Sequence, residues 1–233
     1  GSGATGVVRI KAVSGDAVVF GNGSRQPLDA FCSAILNKHP DGYLLQSALN
    51  PHPVCAEVTG EHTGCVRIVT VHDGGTPRPV YALWKIPAPE SATDNAHQSG
   101  AMLAKIDLSN GKILACRTGT GLEVREITHH PVSGAQIVGR TLPHWDDVTS
   151  LAENAHALFP EFGLFGFDIA ICADGPKIVD CSETPCHQLY QLATGRGISN
   201  RDLAPVWEKV VSWQKAQSAR NMSHIGRERC IEA

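Results

Sequence analysis

Apolar and polar residues alternate in several short runs of this chain, and each run predicts a strand. Cys65–His72 (CVRIVTVH) alternates, Asp73-Gly74-Gly75 supplies a turn, and Pro79–Ile86 (PVYALWKI) answers as the second strand. Ala104–Leu108 and Lys112–Cys116 flank Asn110-Gly111 and predict another hairpin. Val7–Lys11 and Ala17–Phe20 do the same around Ser14-Gly15-Asp16. Tyr43–Leu45 predicts a short strand leading into Gln46, and Asn50–Pro53 a loop. The polar stretch from Ala88 to Gly100 reads as a loop, and Gly119–Gly139 as irregular chain. Helical spacing occurs at 29–37, 146–159 and 202–220. Asp29 is the expected cap of the first helix. Asp146 and Asp147 favour the first turn of the second, which Pro160 stops. Strands therefore outnumber helices and come as antiparallel hairpins, which predicts an α+β fold rather than βαβ alternation.

The most informative stretch is Gly166–Pro185, GFDIAICADGPKIVDCSETP. Two apolar strands each carry one acid, Asp168 and Asp180, about a turn at Ala173-Asp174-Gly175. Burying an unpaired charge is costly, so each acid needs a partner. A three-residue loop would place Cys172 opposite Pro176 and Asp168 opposite Asp180, with their side chains roughly 5 Å apart. Ser182 would then share their face. A loop of Asp174-Gly175 alone would set Asp168 against Cys181 and split the pair across the sheet. Facing carboxylates repel, and a hard divalent cation removes the repulsion. A plain hairpin with two solvent-facing acids is the alternative.

Composition narrows the function classes. The chain has 233 residues, 42% hydrophobic and 18% charged, an ordinary globular balance. A net charge of -3 gives no electrostatic reason to expect nucleic acid or an anionic membrane as partner. No apolar run approaches the ~20 residues of a membrane span. The eight cysteines are scattered without C-x-x-C, which predicts free thiols and a cytoplasmic location.

Two cations interrupt apolar strands, Arg67 in CVRIVTV and Lys85 in ALWKI. A strand face shared by Arg67, Lys85, Asp168 and Asp180 suits a metal-bound polyphosphate, with the cations taking charge that the metal does not. The loop DNAHQSG adds Asn95, His97 and Gln98 as candidate binding groups. His129, His130 and His144 suggest zinc only weakly, because no acid or cysteine stands at a standard ligand spacing.

In order, the stretches GSGATGVVRI, YLLQSALNPHP, CVRIVTVHDGG, DNAHQSG, IDLSNGKI, HPVSGAQIVGRTLPHWDD and GFDIAICADGPKIVDCSETP resemble the sugar-transfer-associated ATP-grasp family. They more distantly resemble the glutamate-ligase type that modifies ribosomal protein S6. The resemblance implies an ATP-grasp fold, mainly antiparallel sheets with a few helices. It implies a lid-type subdomain over 1–45, a metal-carrying subdomain over 46–200, and a C-terminal helix and tail over 201–233. It implies ATP with Mg²⁺ (or Mn²⁺), a small-molecule carboxylate and an amine acceptor, joined through an acyl phosphate. Gly1, Ser2, Gly3 and Gly6 resemble the loop that closes over the phosphates, and Leu45 and Gln46 the hinge that holds adenine. Arg67 and Lys85 match cations near the γ-phosphate and acyl phosphate. Asn95, His97 and Gln98 match a loop near phosphates and acceptor. Asp168, Asp180 and Ser182 match the metal positions.

The family usually has Glu and Asn where this chain has Asp180 and Ser182. Asp keeps the charge with a shorter reach, and Ser is a poorer ligand than an amide oxygen. The family also carries a phosphate-binding lysine and a further subdomain ahead of its glycine loop. With GSGATG as that loop, the expectation is a fragment that needs an N-terminal segment or another subunit. With GSG as a cloning remnant, Lys11 stands for the lysine. A degenerate module that binds nucleotide or a partner without turnover is the alternative function.

Overall fold

The computed structural model describes residues 7–89, 91, 96 and 99–229. Among these, β1 (Ile10–Ser14), β2 (Ala17–Phe20) and β3 (Arg25–Pro27) form a small antiparallel sheet of three strands, followed by α1 (Leu28–Lys38). This unit buries little. Val18 is buried, and α1 has no buried residue. Asp29 lies in the first turn of α1, not at its cap; Pro27 holds that place without a side-chain bond. Residues 39–50 form neither helix nor strand, so the expected strand at Tyr43–Leu45 is absent. All three of those side chains are exposed, so no burial rewards strand pairing there.

The second sheet has seven strands. They are β4 (Cys65–Val71), β5 (Arg78–Ile86), β6 (Met102–Ile106), β7 (Ile113–Thr118), β8 (Arg125–Ile127), β9 (Leu164–Cys172) and β10 (Gly175–Ser182). Their spatial order is β10-β9-β4-β5-β6-β7-β8, antiparallel throughout. The three-residue β8 falls inside the stretch expected to be irregular.

The two faces of this sheet bury different things. On one, Val66, Ile68, Trp84, Phe165, Phe167 and Ile169 pack with Cys55 and Val58 of α2 (Pro53–Thr59) and Val148 and Ala152 of α3 (Trp145–Ala157). The sequence Asn50–Pro53 reads as a loop, yet Pro53 opens α2. Proline is favoured at a first helical position, and His52 caps the helix by accepting from the Val54 amide at 3.2 Å. On the other face, Val69, Tyr81, Leu83 and Leu103 pack with Leu189, Tyr190 and Ala193 of α4 (Gln188–Thr194) and with Leu203. The helix α5 (Ala204–Arg229) follows. The architecture is α+β, as expected, with α2 and α4 as unforeseen short helices.

Candidate functional site

The β9–β10 hairpin closes by a route the sequence did not suggest. Cys172 pairs with Gly175, so the turn is Ala173-Asp174 alone. Gly175 has φ 111°, open to glycine and strained for other residues. Continued unbroken, that register would set Asp168 against Val179. Instead the pairing shifts between Ile178 and Asp180, leaving Val179 as an extra bulged residue. The bulge restores Asp180 opposite Asp168, with Ser182 opposite Gly166. The expected pairing of the two acids is present; the expected three-residue loop is not.

The partner of Asp168 comes from the chain itself. In the β4–β9 ladder Arg67 stands opposite Asp168, and in the β4–β5 ladder Arg67 stands opposite Leu83. Alternation along β5 puts Lys85 on that same face. Arg67 donates from Nε to Oδ1 at 2.5 Å and from Nη2 to Oδ2 at 2.8 Å, a two-pronged ion pair. Lys85 Nζ donates to Oδ2 at 2.9 Å. Both Lys85 and Asp168 are buried. Burial alone would raise the Asp168 carboxyl, but the Arg67 hydrogen bonds and the Lys85 and Arg67 charges outweigh it and hold it below the ordinary aspartate value. Burial likewise weakens the Arg67 cation, and Asp168 more than restores it. The site is therefore a buried carboxylate clamped by two cations, with the exposed Asp180 beside it. The Asp180 charge also reaches Arg67.

Glycine is required at 166 by a close approach. A Cβ there would meet Pro185 Cβ at 2.6 Å, with Arg67 Cδ 3.6 Å away. Pro185 thus folds the segment after Ser182 down onto the sheet beside Arg67. Ser182 Oγ accepts from the Thr184 amide at 3.2 Å and helps turn that segment. The segment delivers His187 to Tyr81, whose hydroxyl lies 2.9 Å from His187 Nδ1. The sequence reading did not connect these two residues. The signal was present in the alternation of PVYALWKI, which puts Tyr81 on the Lys85 face, but nothing local ties His187 to it.

The other candidates are placed as follows. Leu45 and Gln46 lie exposed in residues 39–50. Gly1, Ser2, Gly3, Gly6, Asn95, His97 and Gln98 lie outside the described residues. No group of three His, Cys, Asp or Glu side chains suited to a metal occurs among the described residues, so the zinc reading finds no support there.

A hard divalent cation has a donor set nonetheless. Each carboxylate oxygen offers two lone pairs. Asp168 Oδ2 accepts from both Arg67 and Lys85, whereas among the described residues Oδ1 accepts from Arg67 alone, which leaves it one pair. Asp180 contributes an exposed carboxylate on the same face, and Ser182 Oγ keeps one pair after accepting from Thr184. Mg²⁺ needs only one or two carboxylates when phosphates and water complete its shell. These residues could hold such an ion, with Asp180 offering the exposed carboxylate.

The mainly antiparallel α+β fold, with acids and cations gathered on one sheet face, is consistent with an ATP-grasp protein. The chain belongs to the sugar-transfer associated ATP-grasp family, whose model matches residues 1–206. No curated protein and no solved structure matches it. Membership carries the general character of the superfamily, ATP binding and ligase-type chemistry. No described helix is long and apolar enough to cross a membrane.

Proposed function

We propose that this chain is an ATP- and Mg²⁺-dependent ligase that activates a small-molecule carboxylate as an acyl phosphate and passes the acyl group to an amine. The observation that carries the reading is the shared face of Arg67, Lys85, Asp168 and Asp180 within an ATP-grasp family member. Arg67 has five N–H donors and gives two to Asp168, which leaves donors for phosphate oxygens. Lys85 adds positive charge where phosphoryl charge builds up. Asp168 fixes both cations in place, so they need no reorganisation during transfer. Asp180, with Asp168 Oδ1 and Ser182, would hold the metal. When bound, Mg²⁺ supplies charge neutralisation to the phosphates. Residues 1–45 would act as the lid, 46–200 as the core of the site, and 201–233 as a C-terminal helix and tail. A reducing, cytoplasmic setting suits the free thiols of the described residues. Activity from this chain alone, or with a further N-terminal segment or subunit, is part of the same reading.

The test is ADP release with Mg²⁺-ATP across a panel of simple, dicarboxylic and sugar acids, with hydroxylamine present to trap acyl phosphate as hydroxamate. Carboxylate-dependent ADP and hydroxamate are expected, both lost with EDTA. A second reading, a nucleotide-binding module without turnover, is favoured by one feature: both Asp168 oxygens are already engaged by cations. Mg²⁺-dependent nucleotide binding with no ADP release under any acid selects it.

A further inference from the structure

Beside the charged clamp lies a pair that the ligase reading leaves unused. Tyr81 stands on β5 opposite Val69, two residues from Arg67 on the same face of β4. It is close enough that the Arg67 charge acts on its phenol. Burial nevertheless holds that phenol protonated, far above its ordinary value, with Arg67 working against it. The hydroxyl meets His187 Nδ1 at 2.9 Å. Two aromatic rings pack on the pair. Tyr190 of α4 packs on Tyr81 at 4.7 Å between ring centres, and Trp207 of α5 lies 5.3 Å from His187. Cys186, next in the chain, is also near enough to act on Tyr81. His187 is half-buried, and that burial lowers its imidazole.

An acyl transfer needs what the clamp cannot provide. The incoming amine must lose a proton, yet Arg67 and Lys85 are cations and both oxygens of Asp168 already accept from them. His187 brings an imidazole to the Tyr81 hydroxyl, on the sheet face that also carries Arg67 and Asp168. We propose that His187 is the general base of the acyl-transfer step, anchored through Nδ1 by Tyr81. The inference rests on the ligase reading and deepens it on the acceptor side. The amine nitrogen forms the C–N bond with its lone pair. The C–O bond to phosphate breaks, and its electron pair leaves on phosphate. The proton released from nitrogen passes to His187 Nε2. For that, His187 carries its hydrogen on Nδ1 and donates it to the Tyr81 oxygen. Only this tautomer lets Tyr81 hold both the imidazole and the imidazolium without turning its hydroxyl.

Two partial reactions separate the roles. Hydroxylamine is neutral at pH 7 and traps acyl phosphate with little need of a base, whereas glycine is largely protonated and needs one. His187→Gln should leave hydroxamate formation within about twofold of the wild type while lowering transfer to glycine about 100-fold or more. The acid limb of transfer, which lies below the ordinary imidazole range, should vanish with it. Tyr81→Phe should lower transfer by a smaller factor and keep the limb. Heteronuclear NMR of the histidine side chains should show His187 as the Nδ1–H tautomer. Equal loss of hydroxamate and glycine transfer in His187→Gln, unchanged transfer, or an Nε2–H tautomer overturns the assignment. Wild-type protein that forms no hydroxamate with any acid of the panel overturns the ligase reading, and this one with it.

Discussion

Phe167 and Asp168 are neighbours on β9, yet they belong to opposite sides of the sheet and to different tasks. Phe167 is buried against Ile68, Trp84 and Phe165 in the larger apolar core. Asp168 is buried almost as fully between Arg67 and Lys85. One face exchanges apolar area for stability and asks nothing of charge. The other face buries an apolar cluster against α4 as well, but beside it lie buried ions, where removing a partner is worse than never having had the pair. The same strands thus carry a wholly apolar environment at Phe167 and a charged one at Asp168, separated by the thickness of one peptide backbone.

The sharpest way to break this contrast is a pair of substitutions one residue apart. Asp168→Asn leaves Arg67 and Lys85 buried as unbalanced cations, which should cost about 3–5 kcal/mol. It should also lower carboxylate-dependent ADP release by about 10³-fold or more, because the clamp loses its fixed geometry. Phe167→Ala should cost about 3–5 kcal/mol as well, through lost contacts and a cavity. Assayed well below its unfolding midpoint, it should keep wild-type activity within about threefold, since its side chain packs in the apolar core on the opposite face. Denaturant melts and ADP-release assays on both proteins read the result. Loss of activity in Phe167→Ala equal to that in Asp168→Asn would show that the faces are not separable.

How much of this was legible beforehand follows from range. Alternation along Cys65–His72 and Pro79–Ile86 marked the strands that carry Arg67 and Lys85, because a period of two is a local signal. The pairing of Asp168 with Asp180 was legible for the wrong reason. The turn is shorter than expected by one residue, and the bulge at Val179 compensates by one residue. Nothing in the letters distinguishes those two errors from none. The cation that neutralises Asp168 was sought outside the chain, whereas Arg67 supplies it from a residue 101 positions away. Such a ladder contact depends on strand order, which hairpin signals do not encode. The same holds for His187 and Tyr81, 106 residues apart. The short helices α2 and α4 fell below the length at which helical periodicity can be told from loop. The absent strand at Tyr43–Leu45 shows the converse, a local apolar signal with no partner to pair it.

A smaller effect sharpens the comparison from the apolar side, where one polar pair is buried. Thr70 and His156 are fully buried, with Thr70 Oγ1 2.7 Å from His156 Nδ1 and His156 Nε2 3.0 Å from the Phe162 carbonyl. A carbonyl only accepts, so Nε2 carries the hydrogen and Nδ1 accepts from the Thr70 hydroxyl. Thr70→Val leaves Nδ1 buried without a donor and should cost about 1–3 kcal/mol, less than either change on β9. The pH dependence has a definite sign. Burial lowers the His156 imidazole, with the Phe162 bond opposing and His72 assisting. The unfolded chain therefore binds this proton more readily than the folded one. The stabilisation is complete above about pH 6.5, the ordinary imidazole value, and is lost as pH falls through the lower folded value. His130 and His187 are lowered by burial too and add to the same limb. His156→Phe isolates its share: the slope of unfolding free energy against pH below 6.5 should flatten by the contribution of one proton. An unchanged slope would mean that His156 titrates alike in both states, and that this face, too, tolerates a buried charge.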